Sequence, residues 1–96
     1  MKILAIEKEL NFTDWTSKTD LLKEESRVVY KYYQEGMIRE IYFNESRNAI
    51  MILECDTISI AEEFIKLLPL VREGLITFNL IELKPYTGFN RILKNE

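Results

Sequence analysis

The order of apolar runs predicts an α+β chain arranged β-α-β-β-α-β, the ferredoxin-like pattern of a four-stranded antiparallel sheet with two helices on one face. Three observations carry this. Two amphipathic stretches, around Leu21–Tyr33 and Ile58–Leu68, repeat their apolar residues at helical spacing. Four other runs are rich in Ile, Leu, Val, Phe and Tyr and read as strands. The two central runs are joined by only "NESR", Asn44–Arg47, a connection short enough for a hairpin.

Each element has its own warrant. Ile3–Glu7 opens as a strand, and the polar "NFTDWTSKTD", Asn11–Asp20, follows as a loop. "SKTD" offers Ser17 as an N-cap with Asp20 three residues on, and Leu21, Leu22, Val28, Val29, Tyr32 and Tyr33 then recur until Gly36 supplies a C-terminal stop. Met37–Phe43 and Asn48–Cys55 form the hairpin strands. The second helix starts near Asp56–Ser59, with Ser59 and Glu62 as a capping box, and ends where Pro69 forbids continuation. Gly74 releases the chain into a last strand, Leu75–Leu83, and the tail Lys84–Glu96 is turn-rich, then amphipathic and suited to docking on a neighbour.

With 96 residues, residues 1–96 fit one small domain. A net charge of −3 and thirteen basic residues that never gather into a run argue against nucleic acid as a partner. "MKILAIEKEL" is too short an apolar run for a signal peptide, nothing approaches a membrane span, and a single cysteine, Cys55, suits a reducing compartment: the expectation is a cytoplasmic protein. The chain has no histidine. That removes His-containing zinc sites, Ser-His and Cys-His nucleophilic pairs and His-ligated haem, so any catalysis uses carboxylates, Tyr, Lys, Arg, the lone thiol or a borrowed cofactor, and no residue is assigned to a metal.

Pairing Phe43 with Asn48 across the turn sorts the hairpin into two faces. One carries Met37, Arg39, Ile41, Phe43, Ile50, Ile52 and Glu54; the other carries Ile38, Glu40, Tyr42, Ala49, Met51, Leu53 and Cys55. Both are mostly apolar, whereas a sheet with one solvated face alternates between apolar and polar. Two helices cover one face only, so the other is expected to meet a second copy of the chain, making a homodimer whose two sheets enclose a barrel-like space. In this register Arg39 and Glu54 share the helix-covered face and are expected to pair. Glu40 then stands alone on the opposite face beside Tyr42 and Met51, where desolvation raises a carboxylate pKa toward general-base duty.

From "EGMIRE", Glu35–Glu40, onward the chain resembles the muconolactone isomerase family, small cofactor-free enzymes of the dimeric α/β barrel class. The likeness rests on Gly36 and Arg39 in the second strand, Glu54 ending the third, "LLPL" at Leu67–Leu70 and Pro85 after the last strand. "REIYF", "LPLVREGLI" and "LKPYTGF" are similar to segments of a bacterial branch labelled muconolactone-isomerase-like. The resemblance implies a dimeric α/β barrel with a small-molecule pocket, proton-shifting chemistry on an unsaturated lactone, a structural role for Arg39 and Glu54, and assembly beyond the dimer. Where that family carries histidines this chain has Glu40 and Lys84, so no catalytic residue is carried over.

The candidate site residues each have two readings. Glu40 is a base acting beside a carbonyl, or an interface residue. Tyr42 orients a ligand or packs; Met51 lines the same face; Thr77 and Asn79 supply pocket hydrogen bonds or dimer contacts. Trp15 belongs to a lid or to an aromatic staple, and Arg72 is a clamp for an acidic substrate or a solvated arginine. Cys55 reads as a small buried hydrophobe. Two functions of different class follow: a cofactor-free isomerase acting on a lactone or related unsaturated carbonyl compound, and a non-catalytic dimeric binding or assembly module.

Overall fold

The computed structural model describes residues 1–93. It runs β1 (Lys2–Glu9), a short 3-10 turn (Trp15–Ser17), α1 (Thr19–Glu35), β2 (Ile38–Phe43), β3 (Ala49–Glu54), α2 (Ile58–Leu67), α3 (Pro69–Arg72), β4 (Ile76–Leu83) and α4 (Asn90–Leu93). The strands form one antiparallel sheet in the order β2-β3-β1-β4. This is the ferredoxin-like α+β fold.

The core lies between the sheet and the helices. Ile3 and Ala5 of β1 alternate inward against Met51 and Leu53 of β3 and Ile38 of β2, all buried, and meet Ala61, Phe64 and Ile65 of α2. Tyr32 of α1 closes edge-on over Phe64, ring centroids 4.7 Å apart. On the opposite face Leu4, Ile6, Ile50 and Ile52 lie side by side with no helix over them.

The hairpin register differs from the expected one. Phe43 pairs with Ala49, Tyr42 with Ile50, Ile41 with Met51 and Glu40 with Ile52, and a bulge then brings Ile38 opposite Leu53. Arg39 is the extra residue of that bulge. Ile41 and Phe43 keep the helix side and Glu40 and Tyr42 the open side, as expected, but Ile38 and the β3 residues change face: Ile38, Ala49, Met51 and Leu53 take the helix side, and Ile50, Ile52 and Glu54 the open one. Met51, expected beside Glu40, is a core residue at 1 % exposure. The Arg39–Glu54 ion pair does not form. Glu54 Oε2 instead accepts from the Met1 α-amine at 2.8 Å, which lowers the Glu54 pKa and raises that of the amine.

Both expected capping boxes are replaced. Ser17 Oγ donates to the Asp14 carbonyl at 2.9 Å, and the Asp14 carboxylate accepts from Thr16 N–H at 3.1 Å, so the 3-10 turn is capped while α1 begins after Lys18 with no side-chain cap. α2 is capped two residues earlier than expected, by Thr57 Oγ1 accepting from Ile60 N–H at 3.2 Å. Pro69 does more than stop α2: it holds Leu68 extended and becomes the first residue of α3. Gly36, at φ 90°, ends α1 in the left-handed conformation. The tail is exposed through α4; its last residues, 94–96, lie outside the described residues.

Candidate functional site

α1 is the longest helix and buries none of its residues. Its Val28, Val29 and Tyr32 rest against the core margin, while Tyr30 and Tyr33 are exposed. The gap beneath it is an open cleft of about 1140 Å³, somewhat above the roughly 300–1,000 Å³ that small-molecule sites span. The α1 wall is Leu22, Glu25, Ser26, Val29, Tyr30 and Tyr33, one stripe at helical spacing. The facing wall is β2 from Arg39 to Phe43 with Ser46, Arg47 and Ala49, and the floor brings in Glu7, Glu9, Trp15 and Leu70.

Aromatic rings dominate the mouth. Tyr30 is 62 % and Phe43 67 % exposed, which leaves ring surface available to a planar ligand. The Arg47 guanidinium lies 5.5 Å from the Phe43 ring centroid. Arg39 and Arg47 make no ion pair among the described residues. The cleft is therefore amphipathic: apolar and aromatic along its length, with carboxylates inside and two guanidinium groups along the β2 wall.

The inner end holds two anchored carboxylates. Glu7 continues the inward alternation of Ile3 and Ala5, so its side chain enters the helix side of the sheet; Oε1 accepts from Ala49 N–H at 2.9 Å and Oε2 from the Asn48 amide at 3.3 Å. Glu25 Oε1 accepts from Leu70 N–H at 3.0 Å, tying α1 to the start of α3. Burial pushes the Glu25 pKa up; the Leu70 N–H opposes this, nearby Glu7 adds to it, Arg72 opposes it and Glu24 adds to it. Glu9 accepts from the Trp15 indole at 3.2 Å, which holds that ring at the end of the cleft.

The residues singled out from the sequence divide. Trp15, Arg39, Glu40 and Tyr42 border the cleft. Glu40 is exposed, and its carboxylate accepts from the Tyr42 hydroxyl at 2.8 Å, which raises the Tyr42 pKa. By register both belong to the open face of the sheet, and because β2 is an edge strand they also reach the rim. Thr77 and Asn79 pair with Lys8 and Ile6 on the open face, away from the cleft. Arg72 is held by Glu24 at 3.1 Å and Glu73 at 3.7 Å and lines no part of it. Cys55 is half-buried, and burial raises its pKa. Among the described residues no group of three or more His, Cys, Asp or Glu is placed to hold a metal ion, and no helix is long and apolar enough to cross a membrane.

Glu7 and Glu25 were absent from the sequence reading, although each has a signal. Glu7 falls on the inward beat of the β1 alternation, and Glu25 lies between Leu21–Leu22 and Val28–Val29 in the apolar stripe of α1. A charged residue in an apolar stripe is the mark that was passed over.

A solved structure, TftG, the 5-chloro-2-hydroxyhydroquinone dehydrochlorinase from Burkholderia phenoliruptrix AC1100 in complex with 2,5-dihydroxybenzoquinone, matches with a TM-score of 0.70. The match covers 92% of this chain and 98% of that one, at 12% sequence identity. This chain has that enzyme's fold. No protein-family model matches the sequence, and no curated protein does.

Proposed function

We propose that this chain binds a small, planar, unsaturated carbonyl compound in the cleft under α1 and catalyses a cofactor-independent proton shift on it, as an isomerase of a lactone or a related substrate. The observation that carries the reading is the cleft: large enough for such a compound, walled by exposed aromatic rings, and provided with anchored carboxylates at its inner end. The fold shared with a dehydrochlorinase whose structure holds a hydroxylated quinone supports the same chemical class. The sequence-stretch likeness to muconolactone isomerases points the same way. Glu40 and Tyr42, hydrogen-bonded at the rim, are placed to contact the outer edge of the ligand.

The protein is also proposed to be a homodimer through the open face of its sheet. Leu4, Ile6, Ile50 and Ile52 lie there side by side, and Ile81 on β4 is 41 % exposed. The same face supports the second reading, a dimeric binding or assembly module without turnover.

Trp15 is the sole tryptophan, so its indole N–H gives one resolved NMR signal at the end of the cleft. Titration with 2,5-dihydroxybenzoquinone and with α-angelica lactone, a β,γ-unsaturated lactone, is expected to shift that signal saturably, and the lactone is expected to convert to its α,β-unsaturated isomer. Absence of both a shift and conversion overturns the enzymatic reading in favour of the assembly module.

A further inference from the structure

We infer that Glu25 is the group that exchanges a proton with the bound compound, and that Glu7 is the anchored anion that keeps it suited to that work; this rests on the proton-shift reading above. Three geometric facts converge on Glu25. It lines the cleft from α1, within the stripe that forms one wall. The Leu70 N–H fixes Oε1, so the carboxylate has a set direction and a second oxygen without a protein hydrogen bond. It stands near Glu7, whose two oxygens are both engaged by Ala49 and Asn48, whereas Glu25 keeps one oxygen free to meet a ligand.

The environment agrees with this division. The charged groups acting on Glu25 are Glu7 from β1, Arg72 from α3 and Glu24 from its own helix, and burial outweighs them all in raising its pKa. Arg72 is itself engaged with Glu24 and Glu73, which limits its pull. A carboxylate raised toward the working pH is both a competent base and, once protonated, a competent acid. Glu40 lacks these features, being exposed and tied to a phenol.

The substrate class follows from the chemistry the site can perform: a carbonyl compound with an acidic C–H beside the carbonyl and a double bond one carbon further on. The Glu25 carboxylate takes the α proton; the C–H electron pair becomes the C=C of a dienolate and the carbonyl π pair moves to oxygen. The carbonyl then re-forms, the double bond moves into conjugation, and the Glu25 carboxylic acid returns its proton to the γ carbon. Nothing is oxidised or reduced, and the enzyme ends in the state in which it began. Arg47, unpaired on the facing wall, is the cation available to the dienolate oxygen.

The test uses α-angelica lactone deuterated at the carbon beside its carbonyl, followed by ¹H NMR for exchange and isomerisation, with the Trp15 indole signal reporting binding in the same tube. Glu25→Gln keeps an acceptor for Leu70 N–H and is expected to lose about 100-fold or more in exchange rate while still shifting the Trp15 signal. Glu25→Asp, shorter but ionisable, is expected to recover part of that loss, and the wild-type rate is expected to rise with pH through the Glu25 titration, a profile that Glu7→Gln moves. A Glu25→Gln rate within about threefold of wild type, or loss of exchange in Glu40→Gln with Glu25→Gln active, overturns the assignment. Wild-type protein that binds the lactone without exchange also overturns it while leaving the binding site standing; wild-type protein that does not bind refutes the underlying reading.

Discussion

Replacing Met51 and Ile52 separately by alanine discriminates the two hairpin registers, because these neighbours point to opposite faces. Met51 is 1 % exposed, opposite Ala5 on β1 and Ile41 on β2, so Met51→Ala leaves a cavity in the core and is expected to cost about 2–5 kcal/mol. Ile52 is half-buried and helix-free; the roughly three methyl or methylene groups removed, at about 0.8 kcal/mol each when fully buried, amount to about 1 kcal/mol in a single chain. A chain of 96 residues has roughly 5–14 kcal/mol in all, so the first loss takes a large share of it and the second does not. Urea unfolding followed by far-UV circular dichroism measures both, with an unchanged m-value required for comparison. Protein concentration separates the dimer contribution: the Met51→Ala cost is expected to stay constant on dilution, whereas the Ile52→Ala cost is expected to grow with concentration if a second copy covers that face. At the dilute limit, an Ile52→Ala cost equal to or larger than that of Met51→Ala refutes the register and with it the assignment of faces.

Thr57→Ala removes the one side-chain cap of α2 and is expected to cost about 1 kcal/mol, a fall of roughly 4–8 °C in Tm, while Ser59→Ala leaves Tm nearly unchanged; the reverse order would restore the Ser59 cap read from the sequence. Because folding raises the Glu25 pKa above its ordinary value of 4.5, that group's contribution is full below this value and is lost as pH rises through the raised one. Glu25→Gln is therefore expected to gain in Tm relative to wild type on going from about pH 4 to about pH 8, and parallel melting curves would contradict the burial of its charge.

Much of the architecture was legible because period and punctuation agree along the chain. Ile3 and Ala5 alternate as a strand must, Leu21 to Tyr33 repeat as a helix must, and Gly36 and Pro69 stand where the chain changes direction. What was not legible depends on contacts between distant segments. No residue of the turn shows that it spans Asn44–Asn48 and pairs Phe43 with Ala49, which sets Glu40 opposite Ile52 instead of Met51, and no glycine or proline marks the bulge at Arg39. Thr57 and Ser59 are both competent caps, and only the direction of the chain leaving Cys55 selects the first. The Glu25 partner is a backbone N–H 45 residues away, which no spacing rule contains.

The bulge and the unburied helix belong to one arrangement. Ile41 and Phe43 alternate on the helix side of β2, and the bulge adds Arg39 to the residues of that strand that border the open space. α1 is secured by Val28, Val29 and Tyr32 against the core, with Tyr32 over Phe64, and by Glu25 on Leu70 and Glu24 on Arg72. Tyr30 and Tyr33 forgo burial that would stabilise a small fold, at about 25 cal/mol for each Å² of apolar surface left in water. A chain under selection for stability alone would close that gap with larger side chains where it now has Ser26 and Ala49, and it would not place a carboxylate at position 25 of the apolar stripe. The stability given up along α1 is concentrated at the residues that face the cleft, as expected when the space beneath the helix is kept for a ligand.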